Sequence, residues 1–138
     1  MVRNANAVWN GGLKDGKGTI STQSGGLKDT QYSFKTRFED GVGVNPEELI
    51  AAAHASCFSM ALGAQLGERG ITPEAIHTQA AVTMENLALT KSALTTTVVA
   101  PGADEAKVRE AAEAAKVGCP ISKALSALDI TLDLTVQV

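Results

Sequence analysis

Asn45-Pro46-Glu47-Glu48-Leu49-Ile50-Ala51-Ala52-Ala53-His54-Ala55-Ser56-Cys57-Phe58-Ser59-Met60-Ala61-Leu62 decides the fold, because it starts a helix at an identifiable residue and then stays apolar. Asn45 is a favoured N-cap, and Pro46 suits the first helical position, where no N–H is needed. Glu47 and Glu48 meet the positive end of the helix dipole. Gly70 and Pro73 stop the run, so the predicted helix spans Pro46 to Glu68 or Arg69. Leu49, Ile50, Ala53, Cys57, Met60, Ala61 and Ala64 recur at i, i+3/i+4 and predict a buried stripe that contains Cys57. Ala51, Ala52, Ala55 and Phe58 carry apolar character around the other side, which is the pattern of a core helix.

Working outward, the N-terminal third reads as antiparallel β-structure. Asn6–Trp9 and Thr19–Thr22 are short strand candidates, separated by the turn-rich Gly11-Gly12-Leu13-Lys14-Asp15-Gly16-Lys17-Gly18. That loop matches a phosphate-binding loop up to Lys17, but the position that must hold magnesium is Gly18 and no long helix follows. It is therefore read as a hairpin turn. Gly25-Gly26 leads into a third strand candidate, Tyr32–Glu39, which alternates and carries Arg37. Beyond the helix, Ile76–Met84 and Lys91–Val99 read as strands. Asp104 caps a helix over Glu105–Val117 that Gly118 stops, Pro120–Leu125 forms a short helix, and Asp129–Val138 alternates as a last strand. Strands and helices in this order make an α+β protein.

A chain of 138 residues is expected to form one domain, residues 1–138, able to bury roughly 68 to 70% of its unfolded surface. With 44% hydrophobic but only 4% aromatic residues, packing relies on Ala, Leu, Val and Ile, and a tight helix-to-helix contact is expected. The net charge is −3 and no Lys/Arg cluster is interleaved with aromatics, which argues against a nucleic-acid partner. Residues 1–6 lack a signal-type apolar stretch, and the longest apolar run contains His54 and Gln65 and follows Glu47 and Glu48. The expectation is a soluble cytoplasmic protein with no membrane partner. The two cysteines, Cys57 and Cys119, lie 62 positions apart, far from the CxxC spacing of a zinc site or thioredoxin-type motif, so no metal is expected; no cofactor is expected either. A reducing compartment disfavours a structural disulfide and permits a transient catalytic one.

A cysteine reacts as its thiolate, and apolar burial alone raises the thiol pKa, so a reactive Cys57 requires a nearby cation. Arg37, always charged and presenting a planar fork of donors, is the sharpest candidate. Glu47 stands ten positions before Cys57, about 15 Å along the same helix, so it cannot touch its own cysteine. Two copies of the helix packed antiparallel across a two-fold axis bring Glu47 toward the partner's cysteine, which predicts an obligate homodimer with composite sites. Taken singly, each residue also has a plainer reading. Cys57 is a small core residue, Cys119 a poor helix cap, Arg37 a solvated strand residue and Glu47 a dipole partner. His54, one turn before Cys57, is placed either to tune the thiol or, as the favoured reading, for packing or a dimer contact, and His77 receives no role.

The helical run quoted above resembles the signature of the OsmC/Ohr family of thiol peroxidases, closest to its osmotically inducible branch. Lys17-Gly18-Thr19-Ile20-Ser21-Thr22, Thr36-Arg37-Phe38-Glu39, Val99-Ala100-Pro101-Gly102 and Cys119-Pro120-Ile121-Ser122-Lys123-Ala124-Leu125 resemble family segments in the same order. The resemblance implies an OsmC-like fold, with antiparallel sheets wrapping two long central helices in an intertwined homodimer. It implies Cys57 as peroxidatic cysteine and Cys119 as resolving cysteine, with Arg37 and Glu47 as their supporting pair. It further implies organic hydroperoxide, and less well hydrogen peroxide, as substrate and an external dithiol, lipoyl-type or thioredoxin, as reductant. The alternative is a non-enzymatic redox sensor or apolar-ligand carrier on the same scaffold.

Overall fold

Turn chemistry organises the first third of the chain. In the computed structural model, which describes residues 1–138, β1 (Ala5–Asn10) and β2 (Lys17–Thr22) form an antiparallel hairpin closed where Asn10 pairs with Lys17. The glycine-rich loop is thus a hairpin connection, with the Gly16 N–H donating to Gly12 O and Gly11 at φ 95°, a conformation that glycine adopts without strain. β3 (Thr30–Tyr32) adds to the other edge of β2. Gly18 is required by contact: a Cβ there would collide with the Tyr32 ring and lie 2.8 Å from the Trp9 ring.

The expected strand over Tyr32–Glu39 ends early. Its second half is a short helix, α1 (Phe34–Phe38), so Arg37 is helical and not on a strand. Ser33 and Thr36 form a reciprocal capping box: Ser33 Oγ accepts from the Thr36 N–H, and Thr36 Oγ1 accepts from the Ser33 N–H. Phe34 and Phe38 then meet one turn apart, with ring centroids at 4.9 Å. Local capping therefore overrides the alternation, whose residues are as compatible with a helix as with a strand.

The chain divides into two compact units, residues 1–49 and 50–138, and α2 (Pro46–Glu68) begins in the first and continues in the second. The second unit is a mixed three-stranded sheet with helices packed on it. β4 (Ala75–Glu85) and β5 (Ala88–Val99) form an antiparallel hairpin, Ala80 opposite Leu94. α3 (Glu105–Gly118) and α4 (Pro120–Ala124) then carry the chain over, so that β6 (Asp129–Gln137) pairs parallel to β5, Leu94 opposite Leu132. The expectation of purely antiparallel sheets is corrected here: a helical crossover returns the chain in the same direction, which a tight hairpin cannot do.

Asp104 caps α3 as expected, accepting from the Ala106 N–H at 2.9 Å. Val108, Ala111, Ala112 and Ala115 on α3, Phe58, Leu62 and Leu66 on α2, and Leu94 and Val98 on β5 make one buried core.

The buried face of α2 differs from the expected stripe. His54, Phe58, Leu62 and Leu66 are fully buried, whereas Ala53, Met60 and Ala64 are exposed, Met60 at 79%. Because the helix is apolar all round, periodicity could not choose between its faces. Polar contacts with the sheet mark the face that is chosen: His54 meets Ser92 on β5, and Ser59 Oγ donates to Thr78 Oγ1 on β4 at 2.8 Å. An 18-residue window of α2 has a mean hydropathy of 1.4, enough by length and composition to cross a bilayer. Its Phe58 face packs instead on the sheet.

Candidate active site

Arg37 and Glu47 come together within residues 1–49. The Arg37 Nε and Nη2 groups both donate to Glu47 Oε1, at 3.1 and 2.9 Å. The pair is a convergent one, two donors on a single oxygen. Asn45 joins the two helices that carry these residues. Its Oδ1 accepts from the Glu48 N–H at 2.8 Å and caps α2, while its Nδ2 donates to Thr36 O at 2.9 Å and anchors α1. With the Arg37 side chain 42% exposed, the pair contributes about 1 kcal/mol or less to stability. Its value lies in aiming the guanidinium.

That guanidinium borders a cavity of about 260 Å³ lined by Trp9, Tyr32, Phe34, Phe38 and Pro46 as well as Arg37. The chain has five aromatic residues, three Phe, one Trp and one Tyr, and four of them line this one space. Such a concentration makes an apolar pocket with a single cation at its wall. The sparse aromatic content was visible in the sequence, but its gathering depended on the β1–β2–β3 register, which sets Trp9 opposite Gly18 and Gly18 opposite Tyr32.

Cys57 and Cys119 come together within residues 50–138. Cys119 is fully buried at the N-cap of α4, but its side chain makes no capping bond. Its thiol instead donates to Cys57 Sγ at 2.8 Å, and both cysteines are free. Two sulfurs 62 positions apart in sequence are thus in contact. Burial is the largest cause pushing the Cys57 thiol above its ordinary value, and the hydrogen bond and charge repulsion with Cys119 act the same way. Only the Ile121 backbone amide favours the thiolate. None of these influences is a cation. The arrangement has matched sulfurs for a disulfide, and a thiol that needs positive charge from elsewhere to become a nucleophile.

His54, fully buried, has a hydrogen-bond partner at each ring nitrogen: Ser92 Oγ at 2.6 Å from Nδ1 and Ser122 Oγ at 2.8 Å from Nε2. The two serines were not singled out in the sequence. A signal existed, since Ser122 follows Cys119 by the same three residues by which His54 precedes Cys57. No group of three or more His, Cys, Asp or Glu side chains is placed to hold a metal ion.

Burial holds His54 below the ordinary histidine range, while the unfolded chain protonates near pH 6.5. The stability this neutral imidazole contributes is complete above about pH 6.5 and is lost as pH falls through the lower folded-state value. Thermal denaturation between pH 7.5 and 5.5 should therefore show a loss of stability on acidification that is smaller in His54→Gln. Parallel pH slopes in the two proteins would refute the assignment.

A family model described as OsmC-like protein matches residues 38–134. The chain is 51% identical over 131 residues to peroxiredoxin OsmC of Escherichia coli (strain K12), covering 92% of this chain and 91% of that one. The crystal structure of an OsmC-like protein from Mycoplasma pneumoniae aligns with a TM-score of 0.79 at 16% identity, over 100% of this chain and 99% of that one. The organic hydroperoxide resistance protein OhrB of Bacillus subtilis aligns with a TM-score of 0.67 at 28% identity, over 96% and 98% of the two chains.

Proposed function

This chain belongs to the OsmC family and is a peroxidase, and we propose that it reduces organic hydroperoxides through a Cys57 sulfenic acid and a Cys57–Cys119 disulfide. The observation that carries this reading is the 2.8 Å contact between the two free sulfurs. The Cys57 thiolate attacks one peroxide oxygen, the O–O bond breaks, and the alkoxide leaves as alcohol after taking up a proton. Cys57 is left as sulfenic acid. The Cys119 thiolate then attacks the Cys57 sulfur, forming the S–S bond and breaking S–O, and the hydroxide departs as water. An external dithiol, lipoyl-type or thioredoxin, returns two electrons by thiol–disulfide exchange.

The activating cation is Arg37 of a second copy, steered by its Glu47. Two observations support a homodimer with such composite sites. One face of α2, including Ala53, Met60 and Ala64, lies uncovered, and every residue of β1 is exposed. Both are apolar or backbone-rich surfaces of the kind that a second chain covers. Wrapping of each chain's β1–β2–β3 sheet around the paired α2 helices satisfies both at once. In this reading residues 1–138 work as one cytoplasmic catalytic domain. The aromatic cavity beside Arg37 suits the organic part of a hydroperoxide better than hydrogen peroxide, which has no apolar group to bury.

Steady-state consumption of cumene hydroperoxide with dihydrolipoate tests the proposal. Continuous turnover is expected, as is a 57–119 crosslink by mass mapping after one anaerobic equivalent of peroxide. A redox sensor on the same scaffold would react once and stop.

A further inference from the structure

One buried ionisable group takes no part in the reaction described above. The His54 ring lies between Ser92 on β5 and Ser122 on α4, and all three residues are buried. His54 precedes Cys57 by three residues and Ser122 follows Cys119 by three, which on a helix is close to one turn. The two contacts therefore form neighbouring rungs between α2 and α4: Cys57 to Cys119 at 2.8 Å, and His54 to Ser122 at 2.8 Å. The other ring nitrogen ties the same side chain to the sheet through Ser92.

α4 has need of such an anchor. It is five residues long and has no side-chain cap, so its own backbone bonds cannot hold it in place. A neutral imidazole carries one N–H, so one serine hydroxyl accepts from the ring and the other donates to it. Neither serine hydroxyl has another side-chain partner, and no buried polar atom in the network is left unsatisfied.

We infer that His54 is a positioning residue for the resolving half of the reaction, acting through Ser122 to hold α4 so that the Cys119 sulfur faces Cys57. The inference rests on the peroxidase reading above. Once Cys57 has become a sulfenic acid, the lifetime of that species depends on how soon Cys119 attacks it. Without the His54–Ser122 rung α4 loses its register, the sulfenic acid persists, and a second equivalent of hydroperoxide oxidises it to sulfinic acid while being reduced to alcohol.

Stopped-flow oxidation with tert-butyl hydroperoxide separates the two halves: dimedone trapping reads sulfenic acid formation, and thiol titration with mass mapping reads disulfide formation. Ser122→Ala should leave the first rate unchanged, slow the second roughly tenfold, and raise the sulfinic fraction. Ser92→Ala removes a bond from the same ring on the sheet side, and should lower the melting temperature without changing the ratio of disulfide to sulfinic acid. Equal slowing in both variants, or wild-type resolution in Ser122→Ala, overturns the inference. Absence of any Cys57 sulfenic acid in Cys119→Ser, where no resolving thiol consumes it, overturns the peroxidase reading first, and this inference with it.

Discussion

Replacement of Cys57 by serine is expected to bring hydroperoxide consumption down to the uncatalysed background, a loss of about 10³-fold or more. The reason is chemical: a serine hydroxyl is not ionised at neutral pH and does not cleave an O–O bond. Cys119→Ser should behave differently, because it leaves the attacking sulfur in place. One equivalent of hydroperoxide per subunit should disappear, after which the protein stalls as a sulfenic acid or proceeds to the sulfinic state. Single-turnover stopped-flow with intact-mass measurement distinguishes the two variants. Undiminished turnover in Cys57→Ser would remove Cys57 from the mechanism, and steady turnover in Cys119→Ser would mean that the external dithiol resolves the sulfenic acid directly.

Arg37→Ala should lower kcat/KM by about 10² to 10³, the usual effect of removing one preorganised charge donor from a transition state. It should also raise the pH at which Cys57 alkylates, since within its own unit burial and Cys119 both push that thiol up and no cation opposes them. Heterodimers of Cys57→Ser with Arg37→Ala subunits, co-expressed with two different tags, read out the geometry. If Arg37 serves the partner's cysteine, each heterodimer retains one intact Cys57–Arg37 pair and should show about half the wild-type activity. If Arg37 serves its own cysteine, no intact pair remains. Activity no higher than the Arg37→Ala parent would then rule out the composite site.

Some of this molecule was legible in short stretches of chain. The ends of α2 follow from Asn45, Pro46 and Gly70, whose effects reach only a few residues, and the structure starts the helix at Pro46 and ends it at Glu68. The Ser33 capping box is equally local, but with threonine in place of the usual Glu or Gln at the reciprocal position it was hidden in a run that alternates like a strand. The pairing of Arg37 with Glu47 is expected only from the family resemblance, because the helix that carries Arg37 reads as a strand in sequence and the Asn45 link between α1 and α2 is a tertiary contact.

By itself, then, the sequence determined the limits of α2, the Asp104 cap of α3, the glycine turn between β1 and β2, and the α+β class. Tertiary structure alone decided which face of α2 is buried, the parallel docking of β6, the gathering of four aromatics around Arg37, and the contact of Cys57 with Cys119. The division has a physical cause. Caps and turns are satisfied by backbone groups within about four residues, whereas an all-round apolar helix has no preferred face until distant partners such as Ser92 and Leu94 close the core against it.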